Sequence, residues 1–208
     1  MRLKHIKGAE EEVRNSKYVI EDHQRYKGKF KTVFENENPI HIEIGMGKGN
    51  FIIQMALKYP NINFIGIEKY DSVLVKATRK VEQMQIPNLR FILMDATYIE
   101  TVFSKEIDTI YLNFSDPWPK VRHTKRRLSS SNFLQKYDNL FKEKKNIIMK
   151  TDNRGLFAFS IISFTEYGYH IEEISLNLHE DETDIVETEY EMKFSSLGYP
   201  IYWIKVSK

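Results

Sequence analysis

From residue 40 onward the chain alternates short continuous apolar runs with longer segments whose apolar positions recur every three or four residues. Residues 40–44 (Ile-His-Ile-Glu-Ile) have the length and composition of a buried strand, and residues 63–67, 89–94, 107–112 and 146–149 repeat that pattern. Between them, helical spacing predicts a helix over 50–59 stopped by Pro60. A second carries Val73, Ala77, Val81 and Met84 on one face; Asp71 or Ser72 is its candidate cap, and Pro87 closes it. A third stripe runs through Phe133, Leu134, Tyr137, Leu140 and Phe141, and a last helix over 153–167 ends at Gly168. Strands near 170–176 and 200–206 complete the series.

Strands alternating with helices predict an α/β fold with a mostly parallel sheet covered on both faces. The last two strands have no long helix between them, so an antiparallel hairpin is expected at one edge. Neither a repeat nor a linker divides the chain, and one domain over 1–208 is expected. Residues 1–15 are charged and weakly periodic, and are expected to form a mobile basic arm.

Composition narrows the chemistry. With no cysteine, disulfides, thiolate nucleophiles and Cys-bound zinc are excluded, as is C5-pyrimidine methylation through a Cys adduct. The six histidines lie far apart, and no metal site is expected. No apolar run approaches the roughly 18 residues of a membrane span. The amino terminus lacks the apolar core of a signal peptide, so a cytoplasmic protein without a membrane partner is expected. Net charge is only +2, but it is polarised: five Lys/Arg fall within 120–127, whereas 172–191 holds nine Asp/Glu and no Lys or Arg. Such a molecule can orient on a polyanion.

Two segments carry chemistry. Glu43-Ile-Gly45-Met-Gly47-Lys-Gly49 follows the first strand and opens the first helix. A dinucleotide fingerprint would place its third glycine at 50, which is Asn. The E-x-G-x-G-x-G form instead resembles the S-adenosylmethionine loop of class I methyltransferases. Glu68 ends the second strand, where a carboxylate can accept ribose hydroxyls. Asp95, next to Ala96, ends the third, where it can reach an adenine amino group. Each acid alone is equally readable as a solvated strand end or a helix cap.

The second segment is Asn113-Phe114-Ser115-Asp116-Pro117-Trp118-Pro119-Lys120, then Val121-Arg122-His123-Thr124-Lys125-Arg126-Arg127. It puts an acid and an indole in a Pro-braced turn at a strand's carboxyl end, where open α/β sheets bind ligands. It closely resembles the bacterial tRNA (guanine-N7-)-methyltransferase family, and the resemblance runs from Glu43 to a late Thr188-Glu189-Tyr190-Glu191 motif. Val121 stands where a second Lys is common, and Ser115 where Pro is frequent.

The resemblance implies a Rossmann-like class I methyltransferase fold with a seven-stranded sheet, and S-adenosylmethionine as cofactor at Glu43, Gly45, Gly47, Gly49, Glu68, Asp95, Ala96 and Asp116. It also implies methylation at N7 of guanine 46 in the variable loop of tRNA. Asp116 is assigned to catalysis, and Lys120, Asp152 and 188–191 to the substrate. Arg122, His123, Lys125, Arg126 and Arg127 are the expected tRNA contacts. Asp152 is also readable as a helix cap and 188–191 as a solvated acidic loop, and Trp118 could stack on the base or equally be core. Asp116 has two readings, stabilising charge or orienting the base. Adenine-N6-type methylation, a non-catalytic tRNA-binding partner and a small-molecule methyltransferase are the rival functions. Monomer and homodimer are both compatible with the sequence.

Overall fold

Among the described residues, 5–208 of the computed structural model, the apolar runs form β1 (Ile40–Ile44), β2 (Asn63–Glu68), β3 (Leu89–Leu93), β4 (Ile107–Asn113), β5 (Phe141–Thr151), β6 (His170–Ser175) and β7 (Tyr202–Ser207). They make one sheet in the order β3-β2-β1-β4-β5-β7-β6. The first five are parallel, and β7 runs antiparallel to both β5 and β6. The expected antiparallel pair therefore sits at one edge, with β7 inserted between β5 and β6.

Every residue of β2 is buried, because a parallel strand is covered on both faces. Alternate side chains serve opposite layers. Phe64 packs with α3 (Asn50–Lys58) and α4 (Asp71–Val81), whereas Ile65 joins the layer of α5 (Ser131–Tyr137) and α6 (Arg154–Glu166). Each such burial contributes about 1.5–3 kcal/mol before entropy is charged against it.

Several elements depart from expectation. Part of the expected mobile arm, Ala9–Asn15, is helix α1, whose Ala9 and Val13 are buried one turn apart in the core cluster that includes α4. Arg79 of α4 adds a two-pronged contact to Glu12 at 2.6 Å. Residues 1–4 of that arm lie outside the described residues. A short helix α2 (Lys31–Phe34) follows. The third helical stripe splits: α5 stops at Tyr137, and Phe141 begins β5 opposite Ile107, so β5 is longer than 146–149. The N-cap of α4 is Tyr70, with no side-chain cap; Asp71 lies in the first turn. Two short helices, α7 (Leu178–Asp181) and α8 (Glu189–Ser195), lie between β6 and β7.

The chain leaves β1 toward β2 and β3 on one side and later returns to place β4 on the other. The carboxyl ends of β1 and β4 therefore flank the topological switch point, where a crevice opens in this class of sheet. Both chemistry-bearing loops start there.

Candidate active site

The glycine loop bends sharply off β1. Gly45 (φ 79°) and Gly47 (φ 58°) adopt left-handed backbone, with open space where a side chain would stand. Two cavities meet along this loop, both walled by Gly45 and Phe114: one of about 680 Å³ toward β2 and β3, another of about 520 Å³ toward α8. Gly49 precedes α3 with φ 75°, and a Cβ there would sit 2.9 Å from Ala77, so helix packing by itself requires glycine at this position.

Glu43, the penultimate residue of β1, lies wholly inside the protein. Asn113 Nδ2 donates to its Oε1 at 2.9 Å, while Glu43 Oε2 and Asn113 Oδ1 have no partner among the described residues. Both residues line the smaller cavity. Burial pushes the Glu43 carboxyl up to about 7, against the hydrogen bond from Asn113 and the charge of Lys150.

Glu68 and Asp95 face the larger cavity with Ala96 and Asp116. Glu68 closes the glycine loop from below, since Gly47 N donates to its Oε2 (3.0 Å) and the amides of Lys69 and Tyr70 to its Oε1 (2.8 and 3.1 Å). Burial raises its pKa, the three amides oppose that, and the charge of Asp116 adds to the rise. A carboxylate offers about four acceptor positions, so capacity remains for a ligand hydroxyl. Asp95 caps the 3₁₀ turn Ala96–Thr101 through Thr97 N (2.9 Å) and pairs with Lys69 at 2.6 Å. Burial raises its pKa, but the bonds from Lys69 and Thr97 outweigh it and leave it lowered.

Past Asn113 the loop turns twice through left-handed backbone at non-glycine residues, Phe114 (φ 49°) and Trp118 (φ 42°). Asp116 lies between them, exposed at the cavity edge, and Trp118 is half-buried beside it. One face of the indole carries the Arg126 guanidinium at 4.9 Å, and His123 meets the ring edge-on at 5.7 Å. Residues Val121–Arg126 wind into a 3₁₀ helix that buries none of its side chains. Lys120, Arg122, Lys125 and Arg126 are solvent-facing, as a polyanion contact requires, and Val121 is 84% exposed. Arg127 is different: half-buried, it points back at the loop.

The late motif comes to the same crevice and divides its labour. Thr188 and Glu191 form a reciprocal capping box at the start of α8. Glu191 is fully buried, takes Lys150 Nζ on both oxygens (3.0 and 3.1 Å) and lies 3.2 Å from His179 Nε2. It therefore anchors α8 and is not placed to touch a nucleotide, contrary to the role expected for it. Burial lowers the Lys150 pKa, and Glu191 opposes that. Glu189 bridges Lys48 of the glycine loop and Lys80 of α4, both at 2.5 Å, and lines the smaller cavity. Tyr190 remains exposed, stacked on Phe194 (4.2 Å) and tilted against Phe114 (5.0 Å), with its hydroxyl 3.3 Å from Asp152. Asp152 is not the cap of α6; Asn153 is, accepting from Leu156 N at 2.8 Å.

Asn113, Phe114 and Lys48 stand within the two sequence motifs without an assigned role, and Lys150 lies outside both. Asn113 and Lys150 are paired residues on β4 and β5, a relation that spacing does not disclose. The Thr-x-x-Glu capping signature at 188–191 was open to reading as a helix start.

The residues present fit S-adenosylmethionine. Two unpartnered buried acceptors, Glu43 Oε2 and Asn113 Oδ1, await a cationic donor such as an amino-acid ammonium. The open glycine turn admits a chain passing close to the backbone, and Glu68 and Asp95 offer carboxylate acceptors on the wall of the larger cavity.

Comparison with known proteins agrees. A family model described as "Putative methyltransferase" matches residues 37–204. The tRNA (guanine-N(7)-)-methyltransferase of Lachnoclostridium phytofermentans is 50% identical over 205 residues, covering 97% of this chain and 96% of its own. That of Bacillus subtilis is 48% identical over 209 residues, covering 99% and 98%. Among solved structures, an antibiotic-related methyltransferase superposes with TM-score 0.65 at 16% identity over 87% of this chain and 92% of its own. The 16S rRNA methyltransferase KamB gives 0.64 at 12% identity over 86% and 92%, a likeness of fold. With half its residues shared over nearly its whole length, the chain belongs to the tRNA (guanine-N(7)-)-methyltransferase family.

Proposed function

We propose that this protein methylates N7 of guanine 46 in the variable loop of tRNA, with S-adenosylmethionine as methyl donor, in the cytoplasm where tRNA is found. The observation that carries the reading is that Asp116 and Trp118 share one cavity with Glu68 and Asp95. Acceptor and donor groups thus converge at the switch point. The names of the relatives support the substrate and the reaction.

The chemistry asks little of the protein beyond placement. S-adenosylmethionine supplies an electrophilic methyl on a sulfonium. Guanine N7 carries a lone pair and no proton, so attack requires no general base. The lone pair takes the methyl in line as the carbon–sulfur bond breaks, provided the reactants are held roughly 3 Å apart. Positive charge moves to the purine, and the Asp116 carboxylate can stabilise it or bind the N1 and N2 donors and fix the base. Glu43 and Asn113 would hold the donor's ammonium, Glu68 its ribose and Asp95 its adenine. Because N7 faces the deep groove of A-form RNA, the base must be presented from a loop or flipped. Tyr190 lines the smaller cavity with its hydroxyl 3.3 Å from Asp152, and Lys120, Arg122, Lys125 and Arg126, with His123 among them, form the cationic track for the tRNA backbone.

The test is to incubate protein, tRNA and S-adenosylmethionine, then treat the RNA with borohydride and aniline. Strand scission at 46 that depends on both protein and donor is expected. Methyl incorporation without scission would point to an exocyclic amine, and no incorporation would leave a tRNA-binding protein.

A further inference from the structure

Arg127 ends the basic segment, yet its guanidinium turns inward. Its Nε donates to the Pro117 carbonyl at 2.9 Å and Nη2 to the Trp118 carbonyl at 3.2 Å, while the group lies 4.3 Å from the centroid of the Phe159 ring on α6. We propose that Arg127 is a positioning residue for methyl transfer: it clamps the Asp116–Trp118 turn and so aims the carboxylate and the indole into the cavity. This rests on the reading of Asp116 as part of the acceptor site.

Three observations converge on that role. The turn holds Phe114 and Trp118 in left-handed backbone, a conformation that bulky L-residues keep only where surrounding structure over-determines it. Pro117 and Pro119 contribute no backbone N–H. Arg127 brings two donors in a rigid fork that matches the carbonyls of successive residues, and its guanidinium lies over an aromatic ring of the helix layer. The clamp therefore ties the loop to α6. Arg126, one residue earlier, is exposed and rests on the indole, free to meet a phosphate.

The two arginines separate in an experiment run in a Trp203→Phe background, where Trp118 is the sole tryptophan. For Arg127→Ala we expect single-turnover methylation at saturating tRNA to fall roughly 10- to 100-fold. Trp118 emission should shift and become more open to acrylamide quenching. The dependence of log tRNA affinity on log salt should keep its slope. Arg127→Lys keeps charge and length but not the fork, so it should bind tRNA like the parent and still transfer slowly. Arg126→Ala should flatten the slope by about 0.7 to 0.9. The proposal is overturned if Arg127→Ala flattens the slope while saturated rate and Trp118 emission stay at the parent's values. It is equally overturned if Arg127→Lys transfers at the parent's rate. Should the parent itself fail to methylate tRNA, the functional reading falls, and Trp118 emission in the Arg127 variants still decides whether the clamp exists.

Discussion

Glu43 and Asn113, 70 residues apart, meet across β1 and β4 at 2.9 Å, and each keeps one buried oxygen unpartnered among the described residues. Leaving a buried acceptor unpaired costs about 1–3 kcal/mol. On the proposed reading the pair is a socket for the donor's ammonium, whose binding would recover that cost.

The socket has a pH signature. Burial raises the Glu43 carboxyl from 4.5 to about 7 in the folded chain, so between those values the folded state holds a proton that the unfolded chain has released. The stabilisation is complete below about pH 4.5 and is lost as pH rises through 7. Glu43→Gln carries no such charge. Urea unfolding should show the variant gaining on the parent by up to about 3 kcal/mol between pH 4.5 and 8. Donor affinity should move the opposite way, rising in the parent as Glu43 ionises and staying flat in the variant. A parent and variant with parallel stability profiles would show that Glu43 does not titrate near 7.

Glu68 supports the glycine loop through Gly47 N and faces the donor cavity. Glu68→Ala should weaken S-adenosylmethionine binding by about 1.5–3 kcal/mol, roughly 10- to 150-fold, with tRNA affinity nearly unchanged. Calorimetry on the folded variant reads both, and unaltered donor affinity would refute the ribose assignment.

Asp116→Asn keeps the shape of the turn and removes its charge. Single-turnover transfer should slow about 100-fold while both substrates bind within about threefold of the parent, if the carboxylate stabilises charge as it develops. A rate within twofold of the parent would make Asp116 a turn former only.

Lys150 and Glu191 form a buried pair that seats α8 beside the cavity. Lys150→Met strands a buried carboxylate and should cost about 3–5 kcal/mol of stability. Combining it with Glu191→Leu removes the stranded charge and should recover most of that loss. Thermal unfolding of the single and double variants gives the comparison; a single variant as stable as the parent would mean the pair does not anchor the helix.

Much of the fold and of the donor loop was legible along the chain, because periodicity, glycine spacing and proline stops act over a few residues. The five parallel strands, the helices between them and the acids at strand ends all follow from such local signals. The capping box of Thr188 and Glu191 was equally local, but an acidic surround masked it as a loop.

Other features depend on which segments pack together. The alternation of elements, the two chemistry-bearing loops and the cationic run after the second are written in local order along the chain. Packing decided that β4 lies beside β1, so that Asn113 reaches Glu43. It also decided that Glu191 is spent on Lys150 and Arg127 on the Pro117–Trp118 turn, and that α1 docks on α4 rather than swinging free. A charged side chain carries no mark of its partner. Whether it faces a ligand, a phosphate or its own backbone depends on which groups lose water together when the sheet closes, and that is a property of the packed chain.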